Sequence, residues 1–224
     1  MKTLKIFLIL LVVYGCSNRK QIVEFEEILG QKNSETLNSM VSEFEISFLN
    51  KKYPNSSVKQ AYKEYLSDIE SNISGDWERP PENNIERFNK SELKEVIYGI
   101  PDSIWIIQSN YKSRTKYKVR IKYLDSKNEF QIGTLESSIP KVRNEDSLVK
   151  ALKNNYDINY FGKYRKALYS VSDKNVFVKE YLKITQDVGT LDPRMVAYKM
   201  LIADLDFGNY FTKRMIITEI AYRL

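Results

Sequence analysis

The strictest pattern in this chain of 224 residues lies between Tyr111 and Tyr123, where basic residues occupy every even position from 112 to 122. Apolar side chains occupy the odd positions from 117 onwards: Tyr117, Val119, Ile121 and Tyr123. Successive side chains of an extended strand point to opposite faces, whereas a helix cannot gather every second residue on one face. The pattern therefore predicts a β-strand with one packed face and one solvated face.

Two neighbouring segments have the composition of strands that would pair with this one. Residues 103–109 (SIWIIQS) are apolar and β-branched, and residues 129–135 alternate through Phe130 and Ile132. Residues 125–128 (DSKN), which separate the second and third segments, are typical of a turn. These patterns predict a three-stranded antiparallel meander, and they place Trp105 in the core.

The rest of the chain has the period of helices. Apolar stripes over residues 37–48 and 58–73 flank a break at Pro54, which predicts a helical hairpin. The helical period returns at Glu145 and predicts several C-terminal helices. The expected fold class is α+β and mostly helical, with a helical hairpin, a central three-stranded antiparallel meander and C-terminal helices in a single globular domain over residues 33–224.

Composition narrows the possible chemistry, because the chain has one Cys and no His. Ser-His-Asp and Cys-His catalysis, His-ligated metals, an intramolecular disulfide and cysteine-rich zinc or iron–sulfur sites are all excluded. We predict no catalytic residue, no metal site and no cofactor, and we favour a non-enzymatic protein. An envelope hydrolase or transferase that uses carboxylates stays open as the alternative, because such chemistry needs no His.

The N-terminus has the layout of a secretory signal. Lys2 and Lys5 precede or border an unbroken apolar run, Ile6–Tyr14. This run is too short for a membrane-spanning helix, which needs about 20 residues, and it matches the apolar region of a signal peptide. Gly15 and the single cysteine, Cys16, follow the run directly.

This junction resembles the lipobox of bacterial lipoproteins, in which an aliphatic residue and a small residue precede a cysteine. Val13, Gly15 and Cys16 match that pattern. Tyr14 departs from it, because a small or aliphatic residue is usual at that position. The resemblance covers residues 1–16 only, and it implies cleavage before the cysteine.

The resemblance also implies a location. Residues 1–15 are then a signal peptide, and residues 16–32 are a tether that a diacylglycerol on the Cys16 thiol anchors in a membrane. A serine directly after the lipidated cysteine, here Ser17, resembles the sequence of lipoproteins that move on to the outer membrane. We therefore expect a bacterial cell-envelope protein on the periplasmic side of that membrane. Within the tether, apolar residues at helical spacing precede Gly30: Ile22, Phe25, Ile28 and Leu29.

The basic strand is the candidate binding site of the mature chain. Its cations would share one face at a spacing of about 6.6 Å: Lys112, Arg114, Lys116, Lys118, Arg120 and Lys122. An anionic lipid head group, a cell-wall polymer or an acidic protein would be a suitable partner. In the other interpretation the face is solvated, or the strand is an edge strand whose lysines block aggregation. Acids on a neighbouring strand, such as Glu129, would then also pair with the cations.

Net charge gives little reason to expect nucleic acid as a partner. Removal of residues 1–15 takes away two of the 35 Lys and Arg and none of the 29 acids, which leaves +4 on the mature chain. That excess is mild, and an envelope location argues against nucleic acid. The membrane itself is an expected partner through Cys16. A membrane-held immunity or inhibitor protein is a further alternative.

A group of aromatic and amide side chains gives a weaker signal. Tyr156, Tyr160 and Tyr164 recur at intervals of four, and three asparagines lie among them: Asn154, Asn155 and Asn159. Tyrosine rings stack on sugars, so the group indicates either a glycan-binding surface or a core stripe whose hydroxyls reach the surface.

Overall fold

The computed structural model describes residues 18–72 and 78–223. The expected signal peptide (residues 1–15) and Cys16 lie outside the described residues, so both remain predictions. Within the described part of the chain, the fold is α+β and mostly helical. The predicted fold class is therefore confirmed.

Helices precede and follow a central sheet. None of the helices over residues 18–72 and 78–223 is long and apolar enough to cross a membrane. The helix α2 continues through a π-helical segment (Phe44–Leu49), and α11 continues through another (Ile217–Ala221). In chain order the helices are α1 (18–29), α2 (Gln31–Glu43), α3 (Asn50–Lys52), α4 (Val58–Ser71), α5 (Glu82–Asn89), α6 (Glu92–Ile97), α7 (Glu145–Lys153), α8 (Lys163–Ser172), α9 (Val176–Val188), α10 (Pro193–Ile202) and α11 (Tyr210–Ile216).

Short polar side chains define where several of these helices begin. The Ser57 hydroxyl accepts a hydrogen bond from the backbone N–H of Gln60 at 3.3 Å, at the start of α4. The Asp192 carboxylate accepts one from the N–H of Arg194 at 2.8 Å, and Pro193 occupies the first position of α10. Such caps satisfy N–H groups that have no partner inside the helix.

The sheet of the described region has four strands in the order β3-β2-β1-β4. Its three long strands are antiparallel to their neighbours: β1 (Tyr98–Ile107), β2 (Arg114–Leu124) and β3 (Phe130–Pro140). The fourth, β4 (Asp157–Ile158), pairs with Tyr98 and Gly99 at the start of β1. The predicted three-stranded meander therefore lacks β4. The sequence could not reveal this strand, because two residues are too few to show alternation.

The helix α1 is part of the main core. Phe25 is 1% exposed and Leu29 is fully buried. The Phe25 ring makes edge contacts with Tyr164 and Phe211, with centroids 6.0 and 5.6 Å apart. Residues 18–29 lie within the predicted tether, but they pack as part of the folded body, so residue 33 is too late a start for it.

A second, smaller apolar cluster lies between the sheet and α7. The face of the sheet that meets α7 is its inner face, and the helix packs mainly against β1, at one side of that face. Leu135 of β3 is opposite the buried Val119 and so shares its face, yet it is 52% exposed. The inner face is thus covered over β1 and β2 and open towards β3. The cluster consists of Val119, Ile121, Tyr123 and Leu152, with Ile104, Tyr117 and Leu148 partly buried around it.

Candidate functional site

The outer face of the sheet carries the predicted row of cations, which we call the basic face. Five of the six predicted residues lie on β2: Arg114, Lys116, Lys118, Arg120 and Lys122. Lys112 does not, because it lies in the turn before the strand. The odd residues between them point to the buried inner face, as the alternation predicts.

Two acids from the neighbouring strands lie among these cations. Glu136 of β3 is 2.9 Å from the Lys116 ammonium and 3.8 Å from that of Lys118. On β1, Asp102 accepts a hydrogen bond from Arg120 Nε at 2.6 Å and is 3.3 Å from the Lys122 ammonium. The acids that form ion pairs with these cations are therefore Asp102 and Glu136, and not the predicted Glu129, which precedes β3.

The pKa values of both acids reflect these pairs. The hydrogen bond from Arg120, with support from Lys122, lowers the pKa of Asp102 below its ordinary value. The hydrogen bond from Lys116, together with its charge, does the same for Glu136. Both carboxylates lie at the surface, where such pairs contribute little to stability. Their effect is to cancel part of the positive charge of the basic face.

The remainder of the basic face is positive and partly aromatic. The Arg114 side chain donates from Nε to the Ser138 hydroxyl at 2.8 Å, and within the described residues neither it nor Lys112 forms an ion pair. Trp105 is opposite Lys118 and is 43% exposed, so its predicted place in the core is wrong. Its ring centroid lies 6.0 Å from the Arg120 guanidinium carbon. The face thus presents cations beside an exposed indole.

The inner face borders a cleft of about 500 Å³, which we call the inner cleft. The part of the inner face next to β3 forms one wall, and the segments around β4 and after α9 form the other. Of the predicted aromatic and amide group, Asn155, Tyr156 and Tyr160 line this cleft. Its lining also includes Asp157, Leu135, Leu152, Val188 and Thr190.

Two other members of that predicted group, Asn159 and Tyr164, have structural roles, whereas Asn154 is exposed at the end of α7. The Asn159 side chain is fully buried, and its Nδ2 donates to the backbone oxygens of Glu95 at 2.9 Å and Leu124 at 2.8 Å. Tyr164 is buried in the main core, and its hydroxyl lies 2.8 Å from that of Thr218. These two side chains hold the core together, and they are not available to a ligand.

The inner cleft does not have the acids of a glycosidase. Asp157 is the one acid among its described lining residues, whereas that chemistry needs two carboxyl groups about 5–9.5 Å apart. Over residues 18–72 and 78–223, no group of three or more acidic or sulfur side chains could hold a metal ion. No family model, no curated protein and no solved structure matches the chain.

Proposed function

We propose that this chain is a lipid-anchored protein of the bacterial cell envelope that binds an anionic partner through its basic face. The observation that supports this proposal is the accessibility of the row. The side chains of Lys116, Lys118, Arg120 and Lys122 are each between 39 and 46% exposed. A binding function accounts for cations that share one accessible sheet face.

The charge balance of the face is also consistent with an anionic partner. The five cations of β2 exceed the two acids beside them, and Lys112 adds a further charge at the end of the strand. Exposed ion pairs are weak in water, so a partner rich in phosphate or carboxylate groups can compete with Asp102 and Glu136. We therefore expect binding that weakens as salt concentration rises.

Charge reversal on the basic face tests this proposal. We expect the triple substitution Lys116→Glu, Lys118→Glu and Arg120→Glu to weaken binding to phosphatidylglycerol vesicles by about 100-fold, at ~1 kcal/mol for each cation near the surface. Co-sedimentation of the chain from Ser17 onwards with these vesicles, compared with pure phosphatidylcholine, measures the effect. The opposite change, Asp102→Asn with Glu136→Gln, should strengthen binding, because it releases four paired cations.

The matched control moves the same charge elsewhere. Lys63, Lys166 and Lys183 are exposed residues of α4, α8 and α9. Their triple replacement by Glu should leave vesicle binding within about threefold, since exposed charges beyond a Debye length of about 8–10 Å are screened. Equal losses in both triple variants would show that net charge, and not this face, governs binding.

The lipid anchor has its own test. We expect Cys16→Ser to abolish acylation, because no other thiol in the chain could carry the lipid. The variant should lose the mass of the lipid in mass spectrometry and should no longer be processed before residue 16. Fractionation of the two membranes would then place the wild-type protein, which we propose lies on the periplasmic side of the outer membrane. An unchanged mass would mean that Cys16 carries no lipid.

A further inference from the structure

We infer that the inner cleft binds a neutral saccharide. This site lies on the opposite side of β2 from the basic face and goes beyond the proposed function. The odd residues of the strand line the inner cleft, whereas the even residues carry the cations. Changes in one site therefore leave the side chains of the other in place, and each inference can fail alone.

The size and lining of the cleft suit a small glycan. Its volume of about 500 Å³ lies within the range of small-molecule sites, which is about 300–1,000 Å³. Leu135, Leu152 and Val188 supply apolar surface for the C–H faces of a sugar ring. Tyrosine rings and polar groups complete the lining: Tyr117, Tyr123, Asn155, Tyr156, Tyr160 and Thr190.

A fixed carboxylate lies in this lining. Asp157 accepts hydrogen bonds at Oδ1 from the Ile158 N–H at 2.8 Å and from the Thr190 hydroxyl at 3.1 Å. Its Oδ2 accepts one from the Tyr123 hydroxyl at 2.7 Å. A carboxylate has about four acceptor sites, so Oδ2 retains capacity for a further donor. Within the described residues Asp157 forms no ion pair.

Two glycines allow Tyr123 to hold this carboxylate. A Cβ at Gly99 would lie 2.3 Å from the Tyr123 ring, and a Cβ at Gly133 would lie 2.9 Å from it. The ring therefore crosses the sheet over positions on both neighbouring strands that lack a side chain. This arrangement fixes the tyrosine hydroxyl, and hence the Asp157 carboxylate, before any ligand arrives, which lowers the entropic cost of binding.

The charges around the cleft select a neutral ligand. An anion would be repelled by Asp157. A cation would be repelled by two side chains that already contact the tyrosine rings. The Lys94 ammonium lies 4.1 Å from the Tyr156 ring centroid, and the Arg165 guanidinium lies 5.0 Å from that of Tyr160. Sugar hydroxyls can donate to Asp157 without bringing a charge of their own.

A matched pair of disaccharides tests the inference. N,N′-diacetylchitobiose is neutral, whereas chitobiose has the same skeleton with two amines. We expect the mature chain, in micelles of a sugar-free detergent, to bind the neutral sugar and to bind chitobiose at least about tenfold more weakly, by ligand-observed NMR titration. Tighter binding of chitobiose would show that the cleft prefers a cationic ligand, and it would overturn the inference.

Two variants locate the binding within the cleft. Asp157→Asn should weaken binding of the neutral sugar by about tenfold or more, the size expected for a lost hydrogen bond to a charged acceptor. Leu135→Ala, at an exposed rim position, should weaken it severalfold without disturbing the fold, which a thermal unfolding curve checks. The control Ile202→Ala removes an exposed aliphatic side chain, 63% accessible, on α10 and should change nothing.

Other outcomes overturn the inference. Unchanged binding in the Leu135→Ala variant would mean that the sugar binds outside the cleft, even if Asp157→Asn fails to fold. Absence of binding to N,N′-diacetylchitobiose, cellobiose and maltose, each tested to about 20 mM, would mean that the cleft does not take neutral glycans. Both cleft variants should still bind vesicles as the wild-type chain does, because the basic face lies on the opposite side of β2.

Discussion

Replacing Phe25 with alanine is expected to destabilise the protein by about 3–5 kcal/mol, the usual cost of removing a buried aromatic side chain. Phe25 is 1% exposed and packs between Tyr164 and Phe211, which belong to α8 and α11. The substitution leaves a cavity where three segments distant in sequence meet. Urea denaturation of the mature chain, followed by far-UV circular dichroism, measures the loss.

The control for this prediction lies on the same helix. Val23 is 45% exposed, so Val23→Ala should change the free energy of unfolding by less than about 0.5 kcal/mol. Both substitutions replace an apolar side chain of α1 by alanine, one of them buried and the other exposed. If Phe25→Ala were as mild as the control, α1 would not contribute to the core, and the folded body would begin near residue 33, the boundary predicted from the sequence.

The apolar spacing of α1 could be recognised from sequence, but its docking could not. Ile22, Phe25, Ile28 and Leu29 follow the helical period, and Gly30 ends the helix with a φ of 88°. A short amphipathic helix after a membrane anchor can lie on the membrane, in solvent or in the core. Only the arrangement of α8 and α11, more than 100 residues away in sequence, decides among these.

The basic face was predictable in its period but not in its pairing. Alternation along β2 assigns the cations to one face, because a strand repeats every two residues. Which acids meet them depends on register, and a shift of one residue would exchange the two faces. An irregularity between Pro101 and Ser103 places Asp102 beside Arg120. A proline within a strand is typical of such a bulge, but it does not determine which cation the following acid meets.

The inner cleft was the least predictable feature. Tyr156 and Tyr160 are four residues apart, which indicates a helix, but they lie in the irregular segment around β4. Asp157 becomes distinctive only through contacts with Tyr123 and Thr190, which are more than 30 residues away on either side. A constellation assembled from separate segments has no spacing that a single sequence can reveal.

A buried ion pair joins Glu219 and Arg223 in the C-terminal segment. Glu219 is 5% exposed, and its Oε2 lies 3.6 Å from Arg223 Nη1 and accepts a hydrogen bond from the Tyr181 hydroxyl. Its Oε1 lies 3.2 Å from the Thr218 hydroxyl. Glu219→Ala should cost about 3–5 kcal/mol, because it leaves the guanidinium buried without its acid.

The exposed Glu180, next to Tyr181 on α9, provides the control, and Glu180→Ala should have little effect in the same urea denaturation. The double substitution Glu219→Leu with Arg223→Met separates two explanations of the buried pair. Recovery of most of the lost stability would show that the cost comes from the unpaired charge, since apolar residues of similar volume often replace buried ion pairs without loss. A double variant as unstable as Glu219→Ala alone would instead show that the hydrogen bonds of Tyr181 and Thr218 to this carboxylate hold the C-terminal segment in the core.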